Sequence, residues 1–393
     1  MAPSTLLDLV LVVLLLAYLV HGLRAGLLRS LFPILGAILG GAAGVFLIPL
    51  LGGIIPDPNW RTVAALAAIL LLLVAGSAVG SVVGRIASRT LARGPLRIVD
   101  RAAGGVVVAV VAGLVTSMVG SAVLSLGVPF LSAPVANSAV LRTIDDLTPA
   151  PVRAALAQFR SSVVTDGIPQ IAEALGAAPA QVPQVDTGNP ELQTAARSVV
   201  RITGNAYACG QSQTGSGFVV APGRVLTNAH VVAGVDEPVV ETPSDGAAAG
   251  RVVYFDPVDD LAVIAVDGLT TAPLVLSAEL PQGSQAVVEG YPFGGPFSVK
   301  GAEVISVGSF DVQDIYNSAS ASRSVYTLAA DVEQGNSGGP LLALDGTVAG
   351  LVFAKNAATA DVGYAMTLEE VGPVAAAAPT LDAEVSAGTC TSG

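Results

Sequence analysis

The 393-residue chain is 52% hydrophobic and only 12% charged, against roughly 25% charge in ordinary soluble domains, so part of its apolar surface belongs in lipid. Residues 1–129 carry eight Arg against Asp8, Asp57 and Asp100, a net of +5, while residues 130–393 carry ten Lys+Arg against 27 Asp+Glu, a net of −17; together they give the −12 of the whole chain. The acidic part lacks the clustered Lys and Arg that phosphate backbones demand, which excludes nucleic acid as a partner.

Four apolar runs come first, at about Leu6–Leu23, Leu31–Leu51, Val63–Val83 and Ala103–Leu126. Each is close to the ~20 residues that a bilayer-crossing helix needs, and four of them cannot be one cleaved leader peptide. Glycines in "GAILGGAAG" (36–44) and "GSAVGSVVG" (76–84) suit close helix–helix approach. Arg24 and Arg29 follow the first run, and Arg85, Arg89, Arg93, Arg97 and Arg101 follow the third, whereas the turn between runs two and three has only Arg61 with Asp57. Arg-rich short loops stay in the cytoplasm, which places both ends of the bundle, and everything after Leu126, outside. Asp8 and His21 lie at the rims of the first run, where headgroup contact or helix-end packing accounts for them. The first 125 residues, headed by "DLVLVVLLLAYLVHGLRAGLLRSL", resemble the colicin V production (CvpA) family of four-helix membrane proteins. Residues 1–128 are accordingly read as a four-helix transmembrane bundle.

Residues 129–194 are richer in Ala, Pro and Ser. "TPAPVRAALAQFRSSVV" and "IPQIAEALGAA" read as short amphipathic helices with Pro near their starts, in a tether that could also serve as a propeptide or self-cleavage site. From about Ala195 the pattern changes to short β-branched runs separated by turns: "SVVRITG", "GSGFVVAPGRVLTNAHVV", "RVVYFD", "LAVIAV", "QAVVEGYP", "GAEVISVGSF", "VYTLAAD", "GTVAGLVFA" and "VGYAMT". Such spacing predicts an antiparallel barrel or sandwich, and residues 195–393 have room for two small barrels.

The chemistry sits in three of these runs. "ADVEQGNSGGPLLALDG" (330–346) brackets Ser337 with glycines, which permit a sharp turn and bring N–H groups up to a reacting atom. A serine hydroxyl needs a base, and the base needs an orienting group. His230 in "VLTNAHVV" is the one histidine of the soluble part. "FDPVDDLAVIAV" offers Asp256, Asp259 and Asp260 as the carboxylate; Asp260, directly before an apolar strand, is the choice. The N–H groups of Gly335 and Ser337 supply an oxyanion hole.

"TNAHVV", "DLAVIAV" and "GNSGGPL", in that order, resemble the trypsin/chymotrypsin-fold serine proteases, above all the HtrA-like branch. The order His, Asp, Ser with spacings of 30 and 77 residues fits that fold and no subtilisin-like or α/β-hydrolase order. The resemblance implies an all-β, chymotrypsin-like double β-barrel and a serine endopeptidase. Asn336 stands where digestive enzymes carry an aspartate that pairs with a new N-terminus, so activation by that ion pair is not expected. About 40 residues follow "GLVFA", too few for the PDZ domain of typical HtrA proteases. Over nearly its whole length the chain resembles the MarP family of membrane-anchored acid-resistance proteases of actinobacteria. That resemblance implies a periplasmic protease domain, a role in acid and oxidative stress, and cell-wall hydrolases among the protein substrates.

Cys209 and Cys390 are the two cysteines, both in the part read as extracytoplasmic, where disulfides persist; a bond between them is expected, as in MarP-like proteases. Asp331, six residues before Ser337, stands where trypsin-like enzymes bind Lys or Arg, although HtrA-like enzymes prefer small apolar P1 groups; "AGLVFAKN" (349–356) supplies the other wall. No metal cluster or phosphate loop is visible, so no cofactor is expected. The competing class is a membrane transport or scaffold protein whose β domain is catalytically inert.

Overall fold

The computed structural model describes residues 3–54, 58–91, 96–125, 134–149, 151–153, 155–156, 170–171, 181–206, 211–357, 359 and 361–391. They fall into two compact units, residues 5–117 and residues 118–393.

The first unit is helical: α1 (Pro3–Ala25), α2 (Leu27–Ile54), α3 (Pro58–Leu91) and the greater part of α4 (Leu96–Ser125). Among the described residues, three stretches are long and apolar enough to cross a membrane: Ser4–Ala25, Leu71–Ser88 and Ile98–Gly120. In α2 the apolar stretch is the shorter Leu27–Gly41, so the second span expected from the sequence is matched only in part among the described residues. Large apolar side chains such as Leu9, Val13 and Leu39 stand exposed, a surface that suits hydrocarbon rather than water.

Glycine sets the helix pairing. A Cβ at Gly36 would strike Gly76 O, one at Gly40 would strike Leu72 O, and one at Gly80 would strike Phe32 O, which makes α2 and α3 an antiparallel, backbone-to-backbone pair. Gly22 meets Gly104 and Gly26 meets Asp100, so α1 and α4 pack antiparallel in the same way. Asp100 also accepts the Leu28 N–H at the start of α2, 3.4 Å away, where a helix end favours a carboxylate.

The second unit holds the helix α5 (Ala139–Leu147), whose N-cap Ser138 accepts the Leu141 N–H, and then the β structure. A closed barrel runs in the order β2 (Val199–Ala206), β3 (Gln211–Ala221), β4 (Arg224–Thr227), β7 (Leu261–Val266), β6 (Gly246–Asp256), β5 (Val239–Thr242). Pairing of β2 with β5 closes it. The second sheet runs β12 (Val348–Asn356), β11 (Pro340–Ala343), β8 (Gln285–Gly290), β9 (Ser298–Gln313), β10 (Ser320–Ala330), β13 (Val362–Thr367). Its last strand, β13, also pairs with β12, so the pairings return to their start. One apolar cluster takes Phe218, Leu226 and Val263 from the closed barrel together with Val287, Leu351 and Tyr364 from the second sheet, joining the two through a shared core.

Two elements differ from the sequence reading. Gln170 and Ile171, within the stretch expected to be helical, form β1 and pair in parallel with Lys355 and Asn356. β11 pairs with β12 only as far as Leu351, leaving the end of β12 open, and its unused backbone groups outweigh a weak local helix preference. The helix α6 (Leu368–Ala377), capped by the Thr367 hydroxyl, follows β13 in a stretch beyond the last strand that the sequence predicts.

Because α2 and α3 meet at their backbones, Gly76→Leu should cost about 1–3 kcal/mol through overpacking. Thermal melting of the detergent-solubilised full chain, compared with a substitution at the more open Gly41, checks this.

Candidate active site

The candidate carboxylate and imidazole, Asp260 and His230, come from the closed barrel. The turn between β6 and β7 is pinned by Asp256, whose Oδ1 accepts the Val258 and Asp259 N–H groups at 2.8 and 3.0 Å. Asp260 ends this turn at φ +55°, a left-handed conformation uncommon outside glycine. Asn228 Nδ2 donates to its carbonyl at 2.8 Å. The carboxylate thereby faces the single helical turn Ala229–Val232. Its Oδ1 accepts the His230 backbone N–H at 2.9 Å, and His230 Nδ1 lies 2.8 Å from Oδ2 and 3.0 Å from Oδ1. Asp260 is buried, at 3% exposure. A carboxylate can only accept, so Nδ1 carries the hydrogen and Nε2 of the neutral ring is left as an acceptor. Neither Asp256 nor Asp259 bonds the imidazole; Asp256 is taken up by its own turn and by Tyr254.

Ser337 lies in the turn between β10 and β11, buried at 2% exposure. Its carbonyl accepts the Ser216 N–H from β3 at 2.8 Å, which ties the serine loop to the barrel that carries the histidine. Ser216 Oγ donates to Gly335 O at 2.6 Å and accepts the Tyr291 N–H at 2.9 Å. Gly335 has φ +91°, and a Cβ there would run into the Tyr291–Gly294 turn, so a side chain is excluded on two grounds. Gln334 O accepts the Phe293 N–H at 2.5 Å. In a trans peptide the next N–H points the opposite way, so that of Gly335 is turned from this turn. Among the described residues, neither the Gly335 nor the Ser337 N–H donates to a protein acceptor.

Ser337 Oγ and His230 Nε2 are both buried and have no hydrogen-bond partner among the described residues. Buried polar atoms are normally satisfied, and exceptions concentrate where chemistry happens. The arrangement thus offers a hydroxyl without a partner, an imidazole oriented by a buried carboxylate, and two free N–H donors. Asn336, also buried, accepts the Glu333 N–H at 2.9 Å through Oδ1, which closes the loop without any terminal ammonium.

The other expected residues are placed as follows. Asp331 gives its carboxylate to Lys300 Nζ of β9, and Glu333 gives its own to Lys355 Nζ of β12 at 3.1 Å. Cys390 is disulfide-bonded and lies against Gly234, four residues after His230. Cys209 lies outside the described residues. Among the described residues no His/Cys/Asp/Glu cluster could hold a metal ion.

Ser216, Lys300, Arg323 and Glu289 escape a reading of motifs. Glu289 is fully buried on β8, and both carboxyl oxygens lack a hydrogen-bond partner among the described residues. A Cβ at Gly339 would strike its carbonyl, so the residue lies directly beneath the Ser337–Gly339 turn. Burial alone pushes its carboxyl up to about 8.

Residues 215–351 match the trypsin-like peptidase domain, and residues 7–149 match the colicin V production protein. The chain is 35% identical over 378 residues to serine protease Rv3671c of Mycobacterium tuberculosis, covering 94% of this chain and 95% of that one. A probable periplasmic serine endoprotease, DegP-like, of Ectopseudomonas mendocina is 35% identical over 163 residues, 39% of this chain and 33% of that protein. The crystal structure of the active form of the M. tuberculosis Rv3671c protease superposes with a TM-score of 0.53 at 37% identity, covering 56% of this chain and all of that one.

The Glu289 carboxyl sets a pH dependence with a definite sign. Its folded value of about 8 exceeds the ordinary 4.5, so the folded state holds a proton that the unfolded state has released. Stability from this group is therefore complete below about 4.5 and is lost as the pH rises towards 8. Glu289→Gln should remove that slope, a difference on the order of a few kcal/mol at the alkaline end. Melting temperatures of both proteins between pH 5 and 8.5 check this; parallel curves would show that the carboxyl is ionised in the fold.

Proposed function

The chain belongs to the Rv3671c family of serine proteases, and from that premise we propose that it is a membrane-anchored endopeptidase working through Ser337, His230 and Asp260. The observation that carries this is the buried Asp260–His230 pair, which leaves Nε2 as an unpartnered acceptor, together with the equally buried and unpartnered Ser337 Oγ among the described residues. In this reading Ser337 Oγ attacks the scissile carbonyl as Nε2 takes its proton. Asp260 stabilises the resulting imidazolium and keeps its orientation. The Gly335 and Ser337 N–H groups receive the oxyanion. His230 then returns the proton to the leaving amine, and water, activated by the same imidazole, releases the acyl group from Ser337.

Substrate choice follows from the loop before the serine. A free Asp331 carboxylate would favour Lys or Arg at P1, but here Lys300 neutralises it, and Lys355 does the same for Glu333. The substrates we assign are protein segments with a neutral P1 side chain.

For the whole molecule we propose a bundle of four spans over residues 1–128, a tether over 129–194 and a chymotrypsin-like double barrel over 195–393. The Arg-rich turns keep to the cytoplasm and set the catalytic domain on the periplasmic side. A Cys209–Cys390 disulfide would suit that side, with a stabilisation of roughly 4–5 kcal/mol from loop closure. Likeness to the MarP family supports a role in acid and oxidative stress and cell-wall hydrolases as substrates.

Two measurements test this. A fluorophosphonate should label the wild-type chain and leave Ser337→Ala untouched, with peptide hydrolysis falling by at least about 10³-fold in the variant; a folded wild type that resists labelling would instead be an inert scaffold. Lys300→Met should raise cleavage after Lys and Arg about tenfold relative to neutral P1 residues, a preference equivalent to about 1.4 kcal/mol. A peptide library read by N-terminal mapping decides it, and an unchanged preference would remove Asp331 from the pocket.

A further inference from the structure

Arg323 is among the largest fully buried side chains of the protein, at 1% exposure. It lies on β10, opposite Phe310 of β9, and its guanidinium is permanently charged with five N–H donors. Its acceptors are two backbone carbonyls, Val258 O and Gln313 O, the latter at 3.3 Å. Nε has no partner, and no carboxylate meets the guanidinium among the described residues. A buried cation held only by carbonyls destabilises a fold relative to an apolar side chain of the same size, so general stability does not account for it. Its position does.

Val258 belongs to the Asp256–Asp260 turn, two residues before the carboxylate that orients His230. That turn ends in the left-handed Asp260, a conformation that persists only where neighbours over-determine it. The second sheet supplies the restraint. Ile315, at the tip of the β9–β10 hairpin, donates its N–H to Pro257 O at 3.1 Å, and Arg323 grips the next carbonyl, Val258 O. β10 then runs from Arg323 to Ala330 and straight into the loop that carries Ser337. One strand therefore delivers the nucleophile and holds the turn of the acid.

We infer that Arg323 is a positioning residue, a brace through which the second sheet sets the Asp260 turn, and with it the His230 imidazole, in register with Ser337. This rests on the Ser337–His230–Asp260 reading. The guanidinium touches no reacting atom; it acts through the Val258 carbonyl.

The test uses the detergent-solubilised full chain and a peptide that the wild type cleaves, with active sites counted by fluorophosphonate titration. Arg323→Met, which keeps the length and drops the charge, should lower kcat about 30-fold or more while KM stays within about threefold, as displacements of about 1 Å at a reacting pair do. Its melting temperature should equal or exceed that of the wild type. Arg323→Lys, which can still reach one carbonyl, should recover part of the loss and lie about fivefold below the wild type. A folded Arg323→Met with kcat within twofold of the wild type, or a loss that merely follows the unfolded fraction, overturns the inference. If Arg323→Met does not fold, Arg323→Lys decides, and a kcat indistinguishable from the wild type counts against the brace. Wild-type chain without turnover, or Ser337→Ala retaining it, would sink the catalytic reading itself, an outcome distinct from failure of the brace alone.

Discussion

The bond between the Asp260 carboxylate and the His230 ring governs what this site can do. A hydroxyl at Ser337 is no better a nucleophile than water until an acceptor stands ready for its proton, and that acceptor exists only when the other ring nitrogen holds its hydrogen. Asp260 sets the tautomer through the ring nitrogen Nδ1, and the His230 backbone N–H fixes where the carboxylate sits. The arrangement carries strain, because the residue that supplies the carboxylate adopts a left-handed backbone. Asn228, Asp256, Ile315 and Arg323 each hold part of the turn that keeps it there.

The nucleophile obeys a different constraint. Acid and base come from the closed barrel and the serine from the second sheet, so their mutual distance is a property of how two sheets pack. The shared core of Phe218, Leu226, Val287 and Leu351 sets this coarsely, since apolar contacts are non-directional. Directional bonds refine it: Ser216 to Gly335 and Ser337, and Arg323 to the acid turn. Two buried groups, Glu289 and Arg323, lie close to this machinery and each costs stability that a hydrocarbon side chain would not. Sites that do chemistry commonly carry such penalties, and their surroundings offset them.

Much of this was legible in the sequence. Glycine on both sides of Ser337, a sole histidine in the soluble part and an aspartate at the mouth of an apolar strand name the candidate reacting groups because each motif has a local physical reason. The β domain showed itself by short, evenly spaced β-branched runs. What stayed hidden depends on partners far apart in the chain. Arg323 in "SASRSVYTLAAD" reads as a solvated strand start, and Glu289 in "QAVVEGYP" as an outward position of an alternating strand; only the folded pairing shows both to be buried. Lys300 is 31 residues from Asp331, with nothing local to link them. The Gln170–Ile171 stretch was misread because an open strand edge elsewhere in the molecule decides its conformation.

The glycine contacts of the helical unit have a geometric outcome. Gly22 meets Gly104 while Gly26 meets Asp100, so α1 and α4 run in opposite senses and the beginning of the first lies level with the end of the last. In any bilayer that these two helices traverse, Ser4 and Gly120 lie towards a common face. A reporter attached at either point would reveal the sidedness of both.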